Sequence, residues 1–243
     1  MVKNTRSKCW MLKCLKVMDR CVCHSLHLAV SHTCAECLPI NLEFLVSETY
    51  KWFSHFSTRQ SAYKQLYLAI NDKEPLKIVN SCTTRWLSIE PAVNRILSQW
   101  FELQTHFQTT TTKEKCFTAQ RLHEMFCDSK NELYNLFLQP ILKHVQEVNK
   151  LFESNSVDKT KLLEDLSNLI KSVANMIVLP TCRIDPFDPD ASIETFLDPK
   201  PNSGYRFERK IAEMIIKKTV TATEENNIRK RAQQFLLCIY KEF

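Results

Sequence analysis

Cysteine and histidine side chains that could bind zinc are concentrated near the amino terminus of this 243-residue chain. The cluster consists of Cys21, Cys23, His24, His27, His32, Cys34 and Cys37. A structural zinc ion needs four ligands of this kind, usually arranged as two close pairs. Cys21 and His24 are separated by two residues, and so are Cys34 and Cys37. These two pairs are therefore the first candidate metal ligands.

The context of the second pair weighs against a zinc site. Nine residues separate His24 from Cys34, fewer than in most zinc modules, and Cys34 lies in an apolar helical pattern. The alternative is that the cysteines are small buried hydrophobic residues and that the histidines cap or line a helix. A thioredoxin-like motif would follow a strand, and a Cys21–His24 dyad would need an oxyanion hole and an orienting partner. We therefore expect no metal site and no catalytic dyad in this cluster.

A second candidate site is the segment Thr84-Arg85-Trp86-Leu87-Ser88. An arginine beside a tryptophan, just ahead of a predicted helix, could bind a phosphate and stack on an unpaired base. The alternative is that Trp86 fills the core while Arg85 pairs with a carboxylate. Basic residues also cluster towards the carboxyl end, where interleaved glutamates are typical of solvated helix faces. They are Arg206, Arg209, Lys210, Lys217, Lys218, Arg229, Lys230 and Arg231.

The composition excludes several classes of protein. Gly204 is the single glycine, whereas phosphate-binding loops need several glycines and the hairpins of an all-β fold need residues with positive φ. The net charge of +6 permits nucleic-acid contact but does not require it. We find neither a secretory signal pattern nor an apolar run long enough to span a membrane. The 11 cysteines, an odd count, are therefore expected to be reduced, in the nucleus or the cytosol.

Apolar residues recur three and four positions apart along most of the chain, which predicts a mainly helical fold. The predicted helices cover residues 25–39, 41–56, 61–70, 88–107, 129–152, 159–178 and 221–243. Short strands are expected only near residues 8–23 and 76–80.

Local signals refine this outline. The patterns Ser129-x-x-Glu132 and Thr221-x-x-Glu224 are candidate capping boxes at helix starts. The four threonines at 109–112 predict a linker. The segment 180–204 is rich in proline and aspartate, which predicts an irregular surface loop.

Taken together, these motifs resemble the hAT superfamily of transposases. Residues 21–29, CVCHSLHLA, resemble the Cys-x-x-His segment of that family, which precedes an apolar helix. Residues 84–88, TRWLS, are similar to the Thr-Arg-Trp segment that follows about sixty residues later. Further similarity to the zinc-finger-associated, domesticated branch occurs at Leu38-Pro39, Trp52-Phe53-Ser54, Arg59 and residues 228–236. The resemblance spans about residues 17 to 243.

The resemblance implies a ribonuclease-H-like core interrupted by a large all-helical insertion domain. On this basis residues 1–24 are expected to be the end of the core, with at most short strand remnants, and residues 25–243 the insertion domain. In the family, two aspartates and a glutamate hold two divalent ions, Mg²⁺ or Mn²⁺, for strand cleavage and transfer. No residue of this chain matches those carboxylates, so we expect no enzyme activity and no metal cofactor.

The resemblance also assigns the candidate site residues. His24, Arg85 and Trp86 match positions that contact DNA in the family, where the tryptophan stabilises a flipped base, and Cys21 with His24 forms the Cys-x-x-His motif. The expected function is thus a transposase-derived, catalytically inactive nuclear protein with residual DNA binding. DNA and other proteins are the expected partners, without a membrane or a small-molecule substrate. Two alternatives are a helical protein-interaction scaffold and one piece of a longer hAT transposase.

Overall fold

A computed structural model describes residues 22–79, 89–153, 159–182 and 193–243, and 81% of these residues are helical. Among them are ten α-helices: α1 (Val22–Cys37), α2 (Asn41–Ser54), α3 (Ser57–Asn71), α4 (Ile89–Ser98), α5 (Trp100–Lys113), α6 (Phe117–Cys127), α7 (Ser129–Glu153), α8 (Lys159–Ile177), α9 (Tyr205–Ile216) and α10 (Ala222–Glu242). A 3-10 helix covers Ile193–Phe196. The mainly helical fold predicted from the apolar periodicity is confirmed.

Extended pairing is scarce in the described ranges, where the one β-bridge joins Val178 to Leu197. The strand predicted at 76–80 is wrong for residues 76–79, which are irregular because no neighbouring strand is described there to form a ladder with them. Val22 and Cys23 are helical rather than part of a strand, and residues 8–21 and 80 lie outside the described residues. None of the described helices has the length and apolar character needed to cross a membrane.

The chain divides into two compact units. Of the described residues, unit 1 contains 22–37, 143–153, 159–182, 193–203 and 226–243, and unit 2 contains 38–79, 89–142 and 204–225. The domain boundary predicted between residues 24 and 25 falls inside α1, which begins at Val22.

Unit 2 is built around an aromatic core that α2, α5 and α6 share. Phe107 on α5 is fully buried, and its ring stacks on Phe126 with the centroids 5.5 Å apart. Trp52 meets Phe107 edge to face at 5.6 Å, and Trp100 meets Phe126 in the same way at 4.8 Å. Such pairs contribute about 0.5–1.5 kcal/mol each beyond their buried area. The core therefore gives unit 2 a rigid frame.

The single helix predicted over 88–107 is wrong, because Gln99 divides it into α4 and α5. Gln99 has φ −132° and ψ 24°, and its side chain is fully buried. Its amide nitrogen donates to the carbonyls of Leu76, at 3.0 Å, and Arg95, at 3.3 Å. Its amide oxygen accepts from the Tyr63 hydroxyl at 3.1 Å. Leaving such groups unpaired in the core would cost about 1–3 kcal/mol each, so these bonds stabilise the break.

The linker predicted at the four threonines 109–112 is also wrong, because α5 continues through them to Lys113. Their hydroxyls donate, each at 2.8 Å, to carbonyls three or four residues earlier: Thr109 to Thr105, Thr110 to His106, Thr111 to Gln108 and Thr112 to Thr109. Hydroxyls satisfied within the helix do not divert the backbone into a turn. The threonine run therefore stays helical.

The capping box predicted at the start of α10 is confirmed. The Thr221 N–H donates to the Glu224 carboxylate at 3.0 Å, and the Glu224 N–H donates to the Thr221 hydroxyl at 3.3 Å. The Lys130 ammonium, 2.7 Å from the carboxylate, together with the Thr221 donors lowers the pKa of Glu224 to about 2. The acidic group is thus held ionised at the helix start, where the helix dipole favours it.

The capping box predicted at the start of α7 is wrong. The Asp128 carboxylate accepts from the N–H of Lys130 at 3.0 Å, so the residue before Ser129 supplies the cap. Glu132 pairs instead with Lys210 of α9 at 2.5 Å. From its cap, α7 continues through Pro140 to its end.

Unit 1 buries the apolar stripes of α1, α8 and α10. None of the following side chains is more than 3% exposed: Leu26, Val30, Leu169, Ile177, Phe235, Leu236 and Ile239. The loop predicted at 180–204 contains the 3-10 helix as a regular element, and residues 183–192 lie outside the described residues. The Gln233 side chain donates to the Asp198 carbonyl at 3.0 Å, which fastens this loop to α10.

Candidate nucleic-acid interface

Of the site residues predicted from the sequence, the structure describes one. His24 lies in the first turns of α1 and is exposed to solvent. Cys21, Arg85 and Trp86 lie outside the described residues. The arrangement of the four predicted residues thus lies outside the described part of the chain, whereas the elements that flank residues 80–88 are described.

The four-ligand zinc set considered from the sequence conflicts with the geometry of α1. His24, Cys34 and Cys37 all lie on this one helix, and Cys34 faces the core with 4% exposure. At 1.5 Å per residue, His24 is about 15–20 Å from the two cysteines along the axis. Two ligands of one zinc ion lie within about 4–5 Å, because each bond is only about 2.0–2.3 Å long. His24 therefore cannot share an ion with either cysteine.

The backbone leading into the Thr-Arg-Trp segment is fastened to unit 2. The Leu76 carbonyl accepts from the Gln99 side chain at 3.0 Å, and Ile78 is buried. Glu74 pairs with Lys64 of α3 at 2.6 Å. On the other side of the segment, α4 begins at Ile89 with a buried side chain. Both flanks of residues 80–88 are thus anchored in the same unit.

A cavity of about 280 Å³ opens beside this anchored backbone. Its lining residues are Tyr50, Phe53, Ser54, Gln60, Tyr63, Lys64, Pro75, Leu76, Lys77 and Ile78. Aromatic walls with lysines among the lining residues suit a flat apolar group that carries negative charge. Ligand pockets typically exceed about 300 Å³, so this cavity would accept only a small group or part of a larger one.

An exposed basic and aromatic face lies on α9 in unit 2. We call Tyr205, Arg206 and Arg209 the α9 platform. Tyr205 is 79% exposed and both arginines are exposed, whereas Phe207 on the opposite face is fully buried. The helix starts after Gly204, whose φ of +92° is a conformation that other residues rarely adopt. The chain's single glycine therefore sits where the backbone must turn to present this platform.

A chain of hydrogen bonds connects the platform to the first turns of α4. Arg206 donates to the side-chain oxygen of Gln139 at 2.7 Å. The side-chain nitrogen of Gln139 donates in turn to the side-chain oxygen of Asn94, also at 2.7 Å. Asn94 in turn donates to the Glu90 carboxylate at 3.2 Å. Glu90 and Asn94 belong to the helix that directly follows Thr84–Ser88 in the sequence. The platform and the carboxyl-terminal flank of the Thr-Arg-Trp segment are therefore held together.

Two lysines of this region are paired with glutamates, whereas Arg206 of the platform bonds a neutral amide. Lys210 is paired with Glu132 at 2.5 Å, and Lys217 is paired with Glu213 at 2.6 Å. The Lys217 hydrogen bond is also the main cause of the lowered pKa of Glu213. The charge of Arg209 also acts on Glu213, whose pKa it helps to lower, so Arg206 is the less compensated of the two arginines. Two cationic groups beside an exposed tyrosine can bind phosphates and stack a base.

Sequence reasoning assigned Arg206 and Arg209 to a solvated helix face and did not consider Tyr205, although its position next to Arg206 could have suggested a mixed aromatic and basic patch. It also missed a group of metal-ligating side chains in unit 1, made by His32, Cys238 and Glu242. No spacing rule could have found that group, since it joins opposite ends of the chain. Comparison with protein-family models, curated proteins and solved structures returned no match for this chain.

Proposed function

We propose that this chain is the helical insertion domain of a hAT-type transposase, or of a protein derived from one, and that it contacts DNA in the nucleus. Contact is made by the α9 platform together with the segment Thr84–Ser88. The observation that supports this proposal most is the hydrogen-bond chain from Arg206 through Gln139 to α4. It holds one exposed cation, Arg206, alongside the helix that follows the arginine–tryptophan pair in the sequence.

The proposed binding is weak and mostly electrostatic. The net charge is only +6, and lysines such as Lys210 and Lys217 are already paired with glutamates. We expect about three to five phosphates to be neutralised at once, so the affinity falls steeply with salt. Stacking on Trp86 or Tyr205 adds about 1–3 kcal/mol for each unpaired or extruded base. The complex should therefore favour single-stranded or hairpin-flanked DNA over intact duplex.

Replacing both platform arginines by glutamine, Arg206→Gln with Arg209→Gln, tests the electrostatic contact. We expect the slope of log affinity against log salt to decrease by about 2, because two phosphate contacts are lost. Affinity at low salt should fall about tenfold. Fluorescence anisotropy with a labelled hairpin oligonucleotide measures both quantities. The matched control is Arg121→Gln on α6, which removes an exposed arginine that is paired with Glu124 at 3.5 Å.

An unchanged salt slope in the platform variant, or an equal decrease in the control, would contradict this interface. Trp86→Ala then tests the stacking contact with the same oligonucleotides. It should weaken hairpin and single-stranded DNA by about 1–3 kcal/mol and change duplex binding little. If Trp86 fills the core instead, the substitution would cost about 3–5 kcal/mol of stability and leave the preference among DNA forms unchanged. Thermal melting alongside binding separates the two roles.

We also propose that these 243 residues do not themselves cut or join DNA. Two-metal strand transfer needs converging carboxylates, and no position in this chain matches those of the family. Incubation of supercoiled plasmid with the purified chain and Mg²⁺ or Mn²⁺ should therefore produce no nicked product above the buffer control. Metal-dependent nicking that persists through stringent purification and disappears in the Arg206→Gln, Arg209→Gln variant would contradict this proposal.

A protein-interaction scaffold is a second candidate, favoured by large apolar side chains that α2 and α6 leave exposed. Ile40 is 89% exposed just before α2, and Phe117 is 81% exposed at the start of α6. Exposed apolar side chains mark a protein-binding surface where they form a contiguous patch. Association through them would persist at the salt concentration that releases DNA. Sedimentation at high salt, with Ile40→Ser as the disrupting variant, distinguishes the scaffold from the DNA-binding function.

A further inference from the structure

The carboxyl-terminal turns of α1 and α10 in unit 1 bring together side chains that commonly bind metals. His32, Glu36 and Cys37 lie in the last turns of α1. Cys238 and Glu242 lie four residues apart in the last turns of α10, on one face of that helix. The two groups are far apart in the sequence, since Glu36 and Cys238 are separated by 202 positions. Folding of unit 1 therefore creates the cluster.

The donor atoms of this cluster are close enough to share one ion. One atom each from His32, Cys238 and Glu242 lies within 4.8 Å of the other two. His32 Nδ1 is 3.1 Å from Glu242 Oε1, and Cys37 lies near enough to Cys238 for the two thiols to interact. Ligands around a tetrahedral zinc ion lie about 3.3–3.8 Å apart. Because His32 is 62% and Glu242 39% exposed, their side chains can rotate to close the remaining distance.

The electrostatic surroundings of the cluster favour a cation. Both helices end here, and a helix carboxyl terminus carries a partial negative charge. Glu36 and Glu242 add two carboxylates. The last turn of α1 contains no basic residue, and Lys241 in the last turn of α10 is paired with Glu194 at 2.7 Å. Because Lys241 is engaged by Glu194, it does not pair with the carboxylates of Glu36 and Glu242.

We propose that His32, Cys238 and Glu242, with Cys37 as the fourth ligand, form a site for a divalent transition metal, with zinc preferred. Sulfur and imidazole ligands select zinc over Mg²⁺ and Ca²⁺, which prefer oxygen ligands. The two cysteines bind as thiolates, so binding releases their two protons to solvent. The Thr33 hydroxyl, which donates to Cys238 Sγ at 3.5 Å, remains available as a donor to the bound thiolate.

This site differs in its ligands from the set considered in the sequence. Only Cys37 is common to both. The other ligands are His32, which lies between His24 and Cys34 on α1, and Cys238 and Glu242 on α10. An ion held there would cross-link two helices of unit 1. Since it would bind the folded chain and not the unfolded one, it would raise the thermal unfolding temperature.

Zinc content of the full 243-residue chain tests the proposal. The protein is reduced, stripped with a chelator, incubated with Zn²⁺, dialysed and measured by elemental analysis. We expect about one zinc per chain in the wild type and less than about a tenth of that in Cys238→Ser and His32→Gln. Loss of a residue that only hydrogen-bonds a metal ligand already lowers metal affinity about 10–100-fold, and loss of a ligand itself lowers it more. Co²⁺ in place of Zn²⁺ should give a thiolate-to-cobalt absorption band that Cys238→Ser removes.

The matched control is Cys127→Ser. Cys127 is an exposed cysteine whose sulfur lies 3.6 Å from His123 Nε2, but the described residues provide no third ligand beside this pair. The control should keep its zinc and its cobalt absorption. Absence of zinc from the reduced wild type, retention of zinc in both site variants, or an equal loss in Cys127→Ser would each overturn the proposal. Circular dichroism of each variant verifies that the helices are intact.

Discussion

Replacing Phe107 by alanine is expected to lower the free energy of unfolding by about 3–5 kcal/mol. Phe107 is fully buried, and its ring contacts Phe126 at 5.5 Å and Trp52 at 5.6 Å between centroids. The substitution removes the buried apolar area and both ring contacts, and it leaves a cavity that three helices enclose. Because a domain is typically stable by only about 5–15 kcal/mol, the loss should be visible as a large fall in the denaturation midpoint.

Phe101→Ala is the matched control for this prediction. Phe101 lies on the same helix, but its side chain is 63% exposed. Its removal should change the free energy of unfolding by less than about 0.5 kcal/mol. Urea denaturation followed by tryptophan fluorescence reports on the core through Trp52 and Trp100. Similar effects of the two substitutions would contradict the assignment of Phe107 to the centre of unit 2.

The helices could be predicted because their apolar residues repeat with the period of an α-helix. The stripes of α2, α8 and α10 were found in this way, and their ends agree with the structure within a few residues. The capping box at Thr221 could be predicted for a related reason, since both of its partners lie within one turn. Interactions that are local in the sequence leave a local signal.

The features that were missed depend on contacts between distant residues. Gln99 ends α4 because its amide reaches Leu76 and Tyr63, which lie on other segments. A local pattern around Gln99 contains no sign of those partners. The run of threonines at 109–112 was missed for a different reason. Its hydroxyl-to-carbonyl hydrogen bonds are local, but threonine is equally common in linkers. The residue types alone therefore do not determine whether such a run is helical or a linker.

The candidate site shows the same limits. The Thr-Arg-Trp segment and the basic residues of α9 could each be recognised in the sequence. The connection of Arg206 to α4 through Gln139 and Asn94 could not, because these polar residues resemble any exposed helix surface until the fold places them in contact. The cluster of His32 and Cys238 is an even clearer example, since its residues come from the two ends of the chain. Tertiary structure is what brings these scattered residues into contact.

Lowering the pH from 7 to 4 is expected to destabilise unit 2 through His106. The His106 side chain is 5% exposed and accepts a hydrogen bond from Trp52 Nε1 at 3.3 Å. Burial, with a smaller contribution from the Arg59 charge, lowers the pKa of His106 from 6.5 to about 4. The guanidinium of Arg59 lies 3.5 Å from the centroid of the Trp52 ring, the same tryptophan that donates to His106. Folded His106 is therefore neutral at pH values where an unfolded histidine is already charged.

The direction of the effect follows from proton uptake. Between pH 6.5 and about 4 the unfolded chain binds a proton at His106 and the folded chain does not, so the free energy of unfolding decreases as the pH falls. The difference between the two pKa values corresponds to about 3 kcal/mol when the pH has passed through this range. Urea denaturation at a series of pH values measures the change. His106→Gln retains an acceptor for Trp52 but cannot titrate.

His106→Gln should therefore flatten the pH dependence between 6.5 and 4, whatever its stability at neutral pH. Carboxylates such as Glu224, whose pKa is lowered to about 2, contribute stability that is lost only as the pH falls below about 4.5. That loss occurs in the wild type and the variant alike, so it cancels in their difference. A difference between the two proteins that stays constant from pH 7 to 4 would mean that His106 is not held neutral by the fold.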